Sequence, residues 1–166
     1  MENRYKAVEL NYKLSKSQTS SPWLILIHGL FGNADNLAGI KRHFESDFNV
    51  LSIDLPDHGE SPWTSLFSIV DAAEAVFELM QSLEISRSAV LGHSLGGKVA
   101  MRLALSHSAV ISHLIVADIA PVKYDHSHQA VFDGLNSVPL NTIQSRKDAE
   151  KEMAAHVKEP GVRQFL

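Results

Sequence analysis

Four short apolar runs, each cut off by a histidine, a glycine or an aspartate, constrain this chain more than any other feature. They are Trp23 to Ile27, ending at His28-Gly29; Val50 to Ile53, ending at Asp54; Ala89 to Leu91, ending at Gly92; and Leu114 to Ala117, ending at Asp118. None alternates apolar with polar, so each predicts a strand covered on both faces, as in a parallel sheet. Val8, Leu10, Tyr12 and Leu14 do alternate. They predict an earlier strand with one wet face, at a sheet edge.

Helical spacing fills the gaps. It predicts a short helix over Leu37 to Phe44 and a longer one over Leu66 to Leu83, with Val70, Ala73, Phe77, Met80 and Leu83 on the apolar face. A third covers Leu95 to His107. Strands alternating with helices imply right-handed crossovers and an α/β, doubly wound, mostly parallel sheet. Residues 1–121 read as that core. Beyond Asp118 no further apolar run occurs: Val131 to Leu135 is weakly helical, Asp148 to Val157 reads as a charged helix, and Glu159-Pro160-Gly161 breaks it. Residues 122–166 read as the start of a helical lid.

Composition narrows the function. Fifteen Lys and Arg against 19 Asp and Glu give a formal charge of -4, with no basic excess to neutralise phosphates, so nucleic acid is not an expected partner. With no cysteine, disulfide scaffolds, thiolate metal sites and cysteine nucleophiles are excluded. Met1 to Lys6 is too charged for a signal peptide, and no apolar run approaches the ~20 residues of a membrane helix. A soluble cytoplasmic protein without a membrane partner is expected, as a monomer or weak homodimer.

In a parallel sheet, ligands bind beyond the carboxyl ends of the strands, so the residues ending the runs are the ones to inspect. Gly92-His93-Ser94-Leu95-Gly96 follows a predicted strand and opens a predicted helix. That is the context of a nucleophile elbow, in which a sharp turn exposes the serine Oγ at a helix N-terminus. The Leu95 N–H then points toward a developing oxyanion. A second donor must come from another strand-end loop. His28-Gly29-Leu30-Phe31-Gly32 fits, with Leu30 N–H as the donor and Phe31, together with His93, walling an acyl pocket. Asp118 could orient an imidazole and stabilise its charged form. Asp54 to Ser61 reads as structural, Asp54 capping a turn and His58 packing beneath the site.

Other chemistries use the same letters. Gly92-x-x-x-x-Gly97-Lys98 is a phosphate-binding loop except that Val99 stands where Ser or Thr must hold the metal. Asp125-His126-Ser127-His128 offers two histidines, short of the three or four ligands a metal site needs. No metal and no organic cofactor is therefore expected.

The segments His28 to Gly32, Asp54 to Ser61, Gly92 to Lys98 and Val116 to Pro121 together resemble the α/β-hydrolase superfamily, and most of all the YbfF-type bacterial esterases. The resemblance implies an esterase or thioesterase that cleaves small acyl esters through an acyl-serine, with Ser94 as nucleophile and Asp118 as the acid of the triad. It departs at Pro56 and Asp57, where the family carries a basic residue and Asn. In that family the catalytic histidine comes after the acid, on strands this sequence does not show. His126, His128 and His156 follow Asp118, but none ends an apolar run. The expectation is a partial chain of a real enzyme with its base elsewhere. The alternative is a catalytically incomplete, hydrolase-like binding protein.

Overall fold

The computed structural model describes residues 9–124 and 128–166. Val8 and the Asp125-His126-Ser127 segment of the histidine pair lie outside the described residues. The chain divides into two compact units, Met1–Pro121 and Val122–Leu166.

The first unit is a five-stranded sheet: β1 (Tyr12–Ser15), β2 (Trp23–Ile27), β3 (Asn49–Ile53), β4 (Ser88–His93) and β5 (Ile111–Ala117). They lie in the order β1-β3-β2-β4-β5. Only β1 runs antiparallel, at an edge beside β3, as its alternation predicts. Three helices join the strands: α1 (Ala38–Phe44), α2 (Ile69–Ser82) and α3 (Leu95–Ser106), the last followed by a 3₁₀ turn over Ser108–Val110 that the apolar spacing does not signal.

Successive residues of a strand point to opposite faces, and the central strands bury both. Leu24, Leu26, Val50 and Leu91 face one layer, packed by Leu37, Ile40 and Phe44 from α1 and its approach. Ile25, Ile27, Leu51, Ile53 and Val90 face the other, under α2 and α3. Contact with α2 runs through Ala72, Ala73, Val76 and Met80; the two alanines let the helix sit close and Met80 fills the space at its end. Val70, assigned to that face by spacing, is partly exposed instead. The helix also starts later than Leu66, because Ser68 caps it: Val70 and Asp71 N–H donate to Ser68 Oγ at 3.2 and 3.4 Å.

The expected two-sided cover fails for β5. Its neighbouring Leu114 and Ile115 are 41% and 46% exposed, so both faces are open there. Among the described residues its one strand neighbour is β4.

The second unit holds α4 (Gln129–Asn136), α5 (Arg146–Met153) and α6 (Pro160–Phe165). Its small core contains Met153 and Val157, with Gly134 against Val157. α5 begins two residues before Asp148 because Ser145 caps it, accepting the Asp148 N–H at 3.2 Å. The charged helix ends at Met153, short of the expected Val157, so Glu159-Pro160-Gly161 does not break it; Pro160 instead opens α6, since a first-turn proline gives up no needed N–H. No helix of the described residues is long and apolar enough to cross a membrane.

Candidate active site

The parallel register lines up the strand ends. Ile27 pairs with both Ile53 and Gly92, and His93 pairs with Ala117. His28, Asp54, Ser94 and Asp118 therefore emerge along one edge of the sheet, the edge at which open α/β sheets bind ligands.

Ser94 sits between β4 and α3 with φ 51° and ψ -115°. A non-glycine residue holds such a conformation only when its surroundings impose it, at a cost of about 1–3 kcal/mol. The flanking glycines show what imposes it. A Cβ on Gly92 would lie 2.2 Å from Gly96 O, and one on Gly96 would lie 2.3 Å from Ile27 O. Strand end, helix start and the neighbouring strand thus meet backbone to backbone. Ser94 N–H donates to Ala117 O at 2.9 Å, and Ser94 O accepts from Gly97 N–H at 2.9 Å. Leu95 occupies the first position of α3, where N–H groups have no intrahelical acceptor and the helix dipole favours negative charge.

The loop after β2 reaches the elbow. A Cβ on Gly29 would lie 3.3 Å from Ser94 Cβ and 3.0 Å from His93 Nδ1. Gly29 O accepts hydrogen bonds from His28 Nδ1–H at 2.7 Å and Gly32 N–H at 3.0 Å. In a trans peptide the C=O and the following N–H point in opposite directions, so these two bonds also set the direction of Leu30 N–H. Phe31 follows with φ 62°, turning the chain sharply.

His28 is fully buried, and its Nε2 accepts Leu55 N–H at 3.1 Å. Burial holds the imidazole below its ordinary pKa, outweighing the opposing pull of the Gly29 carbonyl. Because Nε2 accepts an N–H and Nδ1 faces a carbonyl, the ring is neutral with its proton on Nδ1. Run-end position alone gives no hint of this role, because it depends on two backbone partners from different loops.

Asp54 is also buried. Oδ1 accepts Ala34 N–H at 2.5 Å, and Oδ2 accepts Asn11 Nδ2–H at 2.8 Å and Glu60 N–H at 3.0 Å. Burial works to raise its pKa, but the bonds from Glu60, Asn11 and Ala34 outweigh that and hold the carboxyl below its ordinary value. The expected turn cap is the Glu60 bond. The other two tie the approach to β1 and the loop after β2 into the same carboxylate. His58 packs on His28, ring centroids 5.2 Å apart.

Asp118 leaves β5 in the left-handed region, φ 57°, with its side chain 84% exposed. Its Oδ2 lies 3.7 Å from His93 Nε2. His93 thus stands between Gly29 and Asp118. Lys98, which a phosphate-binding loop would turn toward phosphates, donates from Nζ to Ala120 O at 2.7 Å.

The profile of the family described as "alpha/beta hydrolase fold" matches residues 22–154. Esterase YbfF of Escherichia coli (strain K12) is 32% identical over 160 residues, covering 96% of this chain and 63% of that protein. The sn-1-specific diacylglycerol lipase ABHD11 of Mus musculus is 33% identical over 169 residues, covering 97% of this chain and 55% of that protein. A solved structure described as a marine microorganism esterase superposes with a TM-score of 0.89 at 34% identity, over 96% of this chain and 62% of that one. The chain thus spans less than two thirds of each. A profile match over most of the sequence, on a sheet whose strand ends gather Ser94, Gly29 and Asp118, places this chain in the alpha/beta hydrolase fold family.

Proposed function

We propose that the protein is a serine hydrolase of carboxylic esters, with acyl thioesters open to the same chemistry. Ser94 Oγ attacks the acyl carbonyl, the leaving alcohol or thiol departs with a proton, and water then releases the acid from the acyl-serine. Leu30 and Leu95 N–H receive the developing oxyanion, and Asp118 orients the imidazole that accepts the serine proton. Phe31 and His93 line the acyl side. The small-ester substrate class rests on the likeness to an esterase and to a diacylglycerol lipase.

No histidine among the described residues is assigned as the base. His28 has both ring nitrogens bonded, His107 pairs with Glu74 at 2.9 Å, and His93 adjoins Ser94 in the chain with its Nε2 turned to Asp118. We assign the base to a histidine of the whole protein outside this sequence, and residues 122–166 to the start of a helical lid.

The observation that carries the reading is the strained Ser94 backbone, locked by glycines and touched by the Gly29 loop. The test is p-nitrophenyl ester hydrolysis by the intact protein. Ser94→Ala is expected to lower kcat by at least ~1,000-fold, and a fluorophosphonate should label Ser94 alone. Equal rates in both proteins would instead support a binding protein without catalysis.

A further inference from the structure

The acid and the nucleophile stand on different loops, and an exposed carboxylate has little to hold it. Asp118 shows this plainly: its side chain is mostly exposed and its backbone is in a left-handed kink that an extended strand end would not adopt unaided. What restrains it lies in the backbone on either side. Ala117 O accepts Ser94 N–H at 2.9 Å. Ile119 sits over Gly97, where an added Cβ would come within 2.5 Å of Ile119 Cγ2. Ala120 O accepts Lys98 Nζ at 2.7 Å. Residues 94, 97 and 98 of the elbow thus engage residues 117, 119 and 120 of the acid loop, one anchor before Asp118 and two after it.

We infer that Lys98 is a positioning residue for the triad: its ammonium clamps the Ala120 carbonyl and thereby fixes Asp118 relative to Ser94. The placement of the lysine argues for this. Lys98 lies in the first turn of α3, where the helix dipole disfavours a cation, so the position is unfavourable for an idle surface charge. Lys98 is half-buried, and a charge-assisted hydrogen bond is roughly twice as strong as a neutral one. The Ser94 anchor is a main-chain N–H, whereas the Lys98 and Ile119 anchors are made by side chains and yield to substitution. This inference rests on the hydrolase reading above, in which Asp118 orients the base.

The test uses the intact protein and an ester substrate. Lys98→Met keeps the stem and removes the donors. A misplaced carboxylate stabilises the imidazolium less, so the base's pKa falls. The expected result is a kcat lower by about tenfold with KM within about twofold, and an acid limb of the pH profile moved to lower pH. Lys98→Arg, which restores a cationic donor, is expected to return both toward wild type. Ile119→Ala loosens the same loop at its middle anchor and is expected to shift the limb in the same sense, which keeps the test decisive if Lys98→Met does not fold. An unchanged kcat in Lys98→Met, a loss with the limb unmoved, or no recovery in Lys98→Arg overturns the inference. Ser94→Ala separates the two levels: activity surviving it sinks the hydrolase reading, whereas a dead Ser94→Ala beside a normal Lys98→Met sinks only the clamp.

Discussion

Ser94 holds its strained backbone because three main-chain segments meet around it with no room for a Cβ on Gly92 or Gly96. The two-glycine pattern announces that crowding, and the structure names its partners: Gly92 yields to the helix start, and Gly96 yields to the last carbonyls of the central strand. Backbone atoms in a sheet cannot step aside. Gly96→Ala is therefore expected to cost about 3 kcal/mol in urea denaturation. Gly39, in α1, has open space where its Cβ would be, so Gly39→Ala is expected to add about 0.5–1 kcal/mol. Equal effects of the two would show that the elbow is not locked by sterics. Ser94, Leu95 and the Gly29-Leu30 turn were legible from their letters. The His28 bond that orients the Leu30 amide was not, and neither was the bond from Lys98 to Ala120. Both are hydrogen bonds to carbonyls, and a carbonyl carries no residue identity in a sequence.

Elements follow the same division. β2 and α1 lie where apolar spacing puts them, while α2 and α5 start at their capping serines, Ser68 and Ser145, and not at the first apolar or charged residue. Between elements, Asp54 joins the approach to β1, the loop after β2 and the loop after β3. Asp54→Asn is expected to cost about 2 kcal/mol at pH 7, since a buried donor loses its ionised acceptor. The sign with pH follows from the depressed carboxyl. The charged form is favoured in the fold, so its contribution is present above the unfolded value near 3.8 and is lost as pH falls through the lower folded value. The gap between wild type and Asp54→Asn in urea midpoint should therefore narrow below pH 4. A gap that stays constant down to pH 2 would contradict this account.

Across the whole molecule, burial is graded along the sheet. β2, β3 and β4 are enclosed on both faces, whereas β5 is exposed at its middle residues and half-buried at its ends. At the buried centre, Leu26→Ala is expected to cost about 3–4 kcal/mol in chemical denaturation. A loss below about 1 kcal/mol would mean that the central strand is not enclosed on both faces.

The sequence by itself determined the strand and helix order, the parallel sheet and the letters of the elbow, because apolar periodicity and glycine requirements are local properties of a chain. Only the tertiary structure decided that the middle of β5 stayed exposed, how His28 and Asp54 hold the loops, and how Lys98 reaches the segment carrying Asp118. Those are contacts between residues far apart in the chain, made by groups whose partners are mostly backbone atoms. Their geometry exists only once the strands have been brought into register.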